Sequence, residues 1–367
     1  MRKYPVAPGE AVPWFTSSTP GREHFTFDTI AGRYIALCFL GSAADPTATR
    51  VLADLLTRRE IFDDSNACFF GVTADPRDRE QNRVRNLLPG IRFFWDFDRS
   101  IFSLYGALQE SGAIRQMTYL LDPRLRVIAV LPIVESGKGH VDALLALLQA
   151  QPPIAPATAV SGHAPVLVVP RIFEPDLCQA LIDYYEEHGG TDSGFMVERD
   201  GKTVELLQYD HKRRRDRTVE DEALRKRCIA HITRRLLPEV EKAFQFQATR
   251  MERYLVSCYD AEEGGHFRPH RDNTTKGTAH RRFAVSLFLN SGDYDGGSLR
   301  FPEFGQGTYS APRGGAVVFS CSLLHEATPV TAGRRYMFLP FLYDEAGRRI
   351  REQNLPYLAE AGEVAER

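Results

Sequence analysis

Apolar and polar positions alternate with two different rhythms along this chain, and the change of rhythm marks two halves. In the first half, Tyr34 to Leu40 (YIALCFL) and Ala67 to Val72 (ACFFGV) are short unbroken apolar runs, as in strands buried on both faces. Between them, Thr47 to Arg59 places Val51, Leu52, Leu55 and Leu56 on one side of a helix. Arg77 to Leu88 predicts a charged surface helix. Met117 to Leu121 and Val127 to Leu131, joined by a turn at Asp122-Pro123, predict a hairpin. Buried strands alternating with helices, then an antiparallel pair, predict a thioredoxin-like α/β sandwich.

The stretch from Gln149 to His163, QAQPPIAPATAVSGH, has neither period and is rich in Pro, Ala and Ser, which predicts a stiff extended linker. Beyond it, Pro175 near the first helical position opens a helix running to about His188, with Leu177, Leu181, Ile182 and Tyr185 on one face. A second helix is predicted from about Val219 to Ala243. From Met251 onward ERYLVSCYD, RRFAVSLFLN, GSLRFP, GAVVFS and RRYMFLPFLYD predict strands. Two helices ahead of about eight strands is the order of a jelly roll. The expected domains are therefore 1–150, a linker at 151–163, and 164–367.

Composition narrows the classes. The chain has 367 residues, more than one core usually supports, with 43% apolar and 26% charged positions and a net charge of −2. No global charge points to nucleic acid, and no apolar run approaches the roughly 18 residues of a membrane helix. The start, MRKYPVAPGEAVPWF, lacks the apolar core of a secretory signal. Six scattered cysteines, Cys38, Cys68, Cys178, Cys228, Cys258 and Cys321, are expected as reduced, buried thiols in a cytoplasmic protein.

The candidate chemistry lies on the late strands. His270-Arg271-Asp272 puts two potential ligands on one face of a strand. With His325 from LLHEATPV they make two imidazoles and a carboxylate, the set that leaves open positions on Fe(II) for a cosubstrate and O2. Arg335 follows His325 by ten residues and Tyr259 precedes His270 by eleven. A guanidinium grips a carboxylate through two parallel hydrogen bonds, so Arg335 is the candidate for the far carboxylate of 2-oxoglutarate, with Arg334 the fallback and Tyr259 assisting. His266 is expected in a loop near the entrance, and His211 and His280 at the surface. The run Lys212 to Arg217 (KRRRDR) is expected as a solvated loop, the alternative being a cover over the site that attracts an acidic substrate.

The series YDAEEGGHFRPHRDN, DGGSLRFP, PRGGAVVFSCSLLHEATPV and GRRYMFLPFLYD resembles the prolyl 4-hydroxylase-like branch of the Fe(II)/2-oxoglutarate dioxygenases. That resemblance implies a double-stranded β-helix, iron held by His270, Asp272 and His325, and cosubstrate held by Arg335 and Tyr259. It further implies hydroxylation of an unactivated C–H bond with O2 as oxidant and ascorbate as an optional reductant. The substrate class is a prolyl or other residue of a peptide or protein, or a free amino acid or small metabolite. Because Asp272 keeps its carboxylate, hydroxylation is expected and halogenation is not. A catalytically silent module sensing 2-oxoglutarate or oxygen is the alternative.

The first half resembles the peroxiredoxin family through GEAVPWF, YIALCFLGSAADPT, GVTADP, FFWDFDRSIFSLYG and RQMTYLLDP. Asp45 stands where that family's peroxide-attacking Cys would be, and a carboxylate cannot do thiol chemistry. Cys38 and Cys68 fall within strands, so a thiol redox protein is disfavoured. Arg115 matches the family's active-site Arg and leaves a relic anion pocket as an expectation. The domain is expected to serve as a scaffold for docking, substrate presentation or homodimerisation.

Overall fold

The computed structural model describes residues 2–134, 136–159, 162–358 and 364–365, in two compact units, Met1–Thr158 and Ala159–Arg367. Val160 and Ser161 of the expected linker, and most of the last nine residues of the expected second domain, lie outside the described residues.

The N-terminal unit is a seven-stranded mixed sheet. Its strands are β1 (Thr16–Thr19), β2 (Arg22–Thr26), β3 (Tyr34–Gly41), β4 (Ala67–Thr73), β5 (Ile91–Trp95), β6 (Met117–Leu121) and β7 (Val127–Pro132), in the order β2-β1-β5-β4-β3-β6-β7. The central β3, β4 and β5 are parallel, and β6 and β7 add the antiparallel pair. Helices α1 (Pro46–Leu56) and α4 (His140–Gln149) cover one face through Val51, Leu55, Val141 and Leu144. The other face closes over Ile101 and Phe102 of the short helix α3 (Ser100–Leu104) and over Tyr105. This is the thioredoxin-like sandwich. The expected helix at 77–88 shortens to α2 (Pro76–Glu80), because Asn82 takes a left-handed φ of 48° and Arg83 turns back onto Asp75 and Asp78. Strand β5 was not anticipated: its run IRFFW carries a charge, although Arg92 is tied to Asp64 by two hydrogen bonds of 2.6 and 2.7 Å.

In the C-terminal unit, β8 (Leu167–Val169) leads into α5 (Pro175–His188). Short strands follow: β9 (Thr191–Asp192), β10 (Phe195–Arg199), β11 (Lys202–Leu206), β12 (Lys212–Arg213) and β13 (Arg215–Thr218). The long helix expected at 219–243 is two, α6 (Glu222–Arg235) and α7 (Leu237–Phe244), since Pro238 lacks the N–H that would continue the first. Then come β14 (Arg250–Glu252), β15 (Leu255–Asp260), β16 (His266–His270), β17 (Phe283–Phe288), β18 (Asp295–Gly296), β19 (Leu299–Arg300), β20 (Thr308–Tyr309), β21 (Ala316–Ser320), β22 (His325–Ala327), β23 (Val330–Ala332), β24 (Arg334–Phe338) and β25 (Phe341–Tyr343), before α8 (Glu345–Asn354).

Two facing sheets make the jelly roll. The major one runs β14-β25-β17-β24-β15-β13-β9, with β21 and β8 beyond β17; the minor one runs β12-β16-β22-β19-β20. Helices α5, α6 and α7 seal the outside of the major sheet through Leu181, Cys228, Ile232 and Val240. Between the sheets lies a second core containing Phe267, Phe288, Leu299, Phe319 and Met337. Ladders on both sides bring distant segments to one place: His270 on β16 stands opposite His325 on β22, and Tyr259 on β15 opposite Arg335 on β24.

Candidate metal centre

His270 ends β16, and Asp272, expected on the same strand, lies in the turn just beyond it, held there by its N–H bond to the Cys321 carbonyl; His325 opens the neighbouring strand. Nε2 of His270 lies 3.6 Å from one Asp272 oxygen, and Nε2 of His325 lies 3.3 Å from the other. One ligand atom from each of the three falls within 4.8 Å of the others, the single such group found among the described residues. Each imidazole is turned by its other nitrogen: Nδ1 of His270 meets the Arg268 carbonyl at 2.8 Å, and Nδ1 of His325 meets the Leu323 carbonyl at 3.0 Å. Those contacts put the protons on Nδ1 and leave both Nε2 lone pairs aimed at one point, the tautomer a metal needs.

Packing locks the rings in place. Phe267 stacks on His270 with ring centres 3.4 Å apart, and Phe319 sits 4.5 Å from His325. Burial, and then the neighbouring His325, hold His270 well below its ordinary pKa and therefore neutral. The Asp272 backbone is pinned as well, its N–H donating to the Cys321 carbonyl at 3.0 Å. The donor set, its shared focus and the tautomers fit a divalent iron ion.

A cavity of about 670 Å³ opens on this triad. Arg335 projects into it from β24, 1% exposed, with Nε buried and unpartnered and no side-chain ion pair among the described residues. Its guanidinium carbon lies 4.9 Å from the Tyr259 ring centre and 5.3 Å from that of Phe288. Gly297 makes room for it, since a Cβ there would stand 2.6 Å from Arg335 Cδ. A lone, desolvated guanidinium near the triad is able to take a carboxylate through two parallel hydrogen bonds. Arg334, one residue earlier, faces the other way, half exposed and bonded to Asp260 at 2.8 Å and Glu186 at 3.3 Å.

Several expectations for neighbouring residues are corrected. The run Lys212 to Arg217 is no solvated loop: it forms β12 and β13, and Lys212 and Arg214 are buried in the cavity wall. A signal was present, because Lys212, Arg214 and Asp216 recur with the strand period of two. His211 also lines the cavity, 4.4 Å from the ring of Phe195. His280 is 2% exposed and paired with Glu252 at 3.0 Å, because burying it satisfies that carboxylate. His266 begins β16, its ring against the carbonyls of Gly264 and Asp210.

In the N-terminal unit, Asp45 caps α1, accepting from the amides of Thr47 and Ala48 at 2.9 and 3.1 Å and from Gln116 Nε2 at 3.1 Å. Burial opposes ionisation there, but the hydrogen bonds from Gln116, Ala48 and Thr47 outweigh it and hold the carboxyl below its usual range. The cleft beside Asp45 is lined by Gln116, not Arg115; the Arg115 guanidinium is bound to the Gly106 carbonyl at 2.9 Å. The expected relic anion pocket around Arg115 is therefore not formed. Burial pushes the Cys38 and Cys68 thiols up to about 12, and all six cysteines are free and buried.

A jelly roll that focuses two imidazoles and a carboxylate into a cavity beside an unpaired guanidinium can hold a divalent metal next to a carboxylate-bearing ligand. Residues 254–343 match the 2OG-Fe(II) oxygenase superfamily and residues 8–130 the AhpC/TSA family, and the chain carries one domain of each. It is 32% identical over 124 residues to a PKHD-type hydroxylase of Synechococcus sp. (strain JA-2-3B'a(2-13)), covering 31% of this chain and 53% of that protein. With a PKHD-type hydroxylase of Cupriavidus metallidurans the identity is 39% over 94 residues, or 23% of this chain and 41% of that one. The chain thus spans about half the length of the curated relatives it matches. A prolyl hydroxylase from Trichoplax adhaerens, solved with a hypoxia inducible factor peptide, superposes with a TM-score of 0.40 at 17% identity, over 50% of this chain and 86% of that one. Xanthomonas campestris peroxiredoxin Q does so with a TM-score of 0.33 at 21% identity, over 39% and 98%. No helix among the described residues is long and apolar enough to cross a membrane.

Proposed function

We propose that the C-terminal domain is an Fe(II)- and 2-oxoglutarate-dependent hydroxylase, with His270, Asp272 and His325 as the metal ligands, Arg335 as the cosubstrate anchor and Tyr259 beside it. The observation that carries this reading is the pairing of a focused triad with an unpartnered buried guanidinium in one cavity. Iron and 2-oxoglutarate, when bound, supply O2 activation: the cosubstrate goes to succinate and CO2, and one oxygen atom enters a substrate C–H bond. The chain's own part is binding and orientation. His270 and His325 present neutral Nε2 donors fixed by their carbonyl contacts, and Asp272 adds the charge that favours a divalent ion. Arg335 takes the distal carboxylate as a two-point clamp, which fixes the cosubstrate's direction as well as its affinity. Phe267, Phe288 and Phe319 keep bulk water from the reacting centre.

The substrate is a prolyl or other residue of a peptide or protein, or a small metabolite, and ascorbate serves as an optional reductant. We place the domain limits at 1–150 and 164–367, with 151–163 as linker, in a cytoplasmic protein whose cysteines stay reduced. The N-terminal domain, with Asp45 spent as a helix cap, serves docking, substrate presentation or homodimerisation. Anaerobic titration with Fe(II) and 2-oxoglutarate tests the central reading. The visible charge-transfer band of the chelate is expected in the parent protein and absent in His270→Ala. A well-folded protein that gives no band moves the silent binding module ahead of the oxygenase reading.

A further inference from the structure

Three cations of the cavity wall cluster near one carboxylate, Asp216, and two of them contact it. Lys212 and Arg214 are 4% and 8% exposed, and Arg253 is partly buried beside them. Arg214 reaches Asp216 at 2.7 Å and Arg253 reaches the same oxygen at 3.2 Å, while the other oxygen accepts from Ser257 at 2.6 Å. Among the described residues Lys212 has no carboxylate within ion-pair distance. Its amine donates to Ser193 Oγ at 2.7 Å and to the Gly194 carbonyl, and lies 4.9 Å from the centre of the Phe267 ring.

Apart from Arg335, the other charges on the wall have partners of their own. Asp272 faces the two imidazoles, Glu205 accepts from the Gly194 amide at 2.6 Å, and Asp192 accepts from the Tyr209 hydroxyl at 2.7 Å. Arg271 pairs with Glu303 and Arg281 with Glu252, both at 2.8 Å. Three positive charges therefore stand with one carboxylate in contact, Asp216, while Glu205 and Asp272 act on Lys212 and Arg253 at longer range, an arrangement that can take up a further anion. Burial, and then Arg214, lower both the Lys212 amine and the Arg253 guanidinium, as a local excess of positive charge requires. Arg214 also keeps Nε buried without a partner, although its other nitrogens reach Asp216, Ser193 and the Tyr259 hydroxyl. A buried orphan donor beside a cavity is a feature of a site that a ligand completes.

Both guanidinium carbons lie near the Tyr259 ring, Arg335 at 4.9 Å and Arg214 at 5.8 Å from its centre. The cavity thus holds a second cationic group besides Arg335, and one 2-oxoglutarate anchored at Arg335 with its other end on iron would leave Lys212 without a carboxylate partner. We propose that Lys212, Arg214 and Arg253 form the substrate-recognition subsite of this cavity and that the substrate carries a carboxylate which binds there. This rests on the oxygenase reading for the word substrate, but the anion site itself stands on the cluster alone. The carboxylate belongs either to a small free acid or to an acidic residue of a peptide.

The test is calorimetric titration of the full chain, loaded anaerobically with Fe(II) and saturating 2-oxoglutarate. The probes are N-acetyl-L-glutamate, Ac-Ala-Glu-Ala-NH2 and the neutral Ac-Ala-Gln-Ala-NH2. At least one acidic probe is expected to bind, with the neutral tripeptide about tenfold weaker or more, since a charge-assisted contact is lost. Binding of the free acid alone assigns a small-molecule substrate, and binding of the acidic tripeptide assigns a peptide one. Arg214→Gln and Arg253→Gln should each weaken the acidic probe about tenfold, while the chelate band persists in Arg253→Gln. Arg253 is the partly exposed member, so its variant decides the matter if Arg214→Gln does not fold. Failure of both acids to bind, equal binding of the neutral probe, or affinity unchanged in Arg253→Gln overturns the subsite. So does loss of probe binding only in Arg335→Gln, which would place the probes in the cosubstrate's own position. A chelate band without acid binding sinks the subsite alone, whereas acid binding without a band sinks the oxygenase reading and leaves the subsite standing.

Discussion

Replacing Arg335 by Gln tests the cosubstrate site against its immediate neighbour. The Arg335 side chain is 1% exposed, makes no side-chain hydrogen bond among the described residues and faces the cavity. A carboxylate clamped there gains two charge-assisted hydrogen bonds, each worth about 1.5–3 kcal/mol. Glutamine keeps a neutral donor and loses the charge and the second prong, so the net loss is about 2–4 kcal/mol, or roughly 30- to 700-fold in 2-oxoglutarate affinity. Arg334→Gln removes a half-exposed side chain whose bonds to Asp260 and Glu186 contribute about 0–1 kcal/mol of stability, and none of them faces the cavity. Its affinity should stay within about twofold of the parent. The assay is anaerobic titration with 2-oxoglutarate at saturating Fe(II), read at the visible chelate band, with thermal melting to show that both variants are folded. If Arg335→Gln stays within about fivefold of the parent, or Arg334→Gln falls as far as Arg335→Gln, the assignment of inward and outward faces on this strand is wrong.

Three further outcomes follow from particular contacts. Gly297→Ala puts a Cβ 2.6 Å from Arg335 Cδ at a φ of 60°, so it should weaken 2-oxoglutarate about tenfold and lower the melting temperature; an unchanged titration would mean that Arg335 does not need that space. Glu252 sits in a buried pair with His280 and Arg281; burial would raise its pKa, but the His280 and Arg281 contacts outweigh that and hold it down to about 2. Its stabilisation, roughly 2–3 kcal/mol, is present above its unfolded pKa and fades as pH falls through about 2, so Glu252→Gln should flatten the acid limb of the denaturation curve; an acid limb of unchanged steepness refutes this. Asp45→Ala removes three acceptor contacts at the start of α1 and should destabilise the N-terminal unit by about 1–2 kcal/mol in urea, leaving the chelate band untouched; a shift of that band instead would give Asp45 a role in the other unit's chemistry.

Much of the site was legible because strands alternate. His270 ends its strand opposite His325 with Asp272 in the turn two residues on, and Arg335 is in register with Tyr259, so these side chains are brought to one place. Strand parity separates Arg335 from Arg334, a choice that spacing from His325 alone leaves open. What escaped was parity hidden by composition. Lys212 to Arg217 reads as a charge run because five of its six residues are basic, and such runs are usually solvated. Yet Lys212, Arg214 and Asp216 point one way, into the cavity, while Arg213 and Arg215 are exposed. A buried charge is affordable when a counter-charge lies two residues along and Ser193, Ser257 and Tyr259 supply further contacts. Those contacts come from distant segments, and no local window contains them. His280 escaped for the same reason, its partner Glu252 lying on another strand. In the N-terminal unit the reverse held: Asp45 could be read as a lost nucleophile from one position. The structure adds that the carboxylate now satisfies the amides at the head of α1. Restoring Cys at position 45 would therefore remove a cap that Gln116 also supports, and Arg115 is engaged with Gly106 and does not line the cleft. A thiol there would lack Arg115 as a neighbour, so restoring the cysteine alone would not restore the family's arrangement around it.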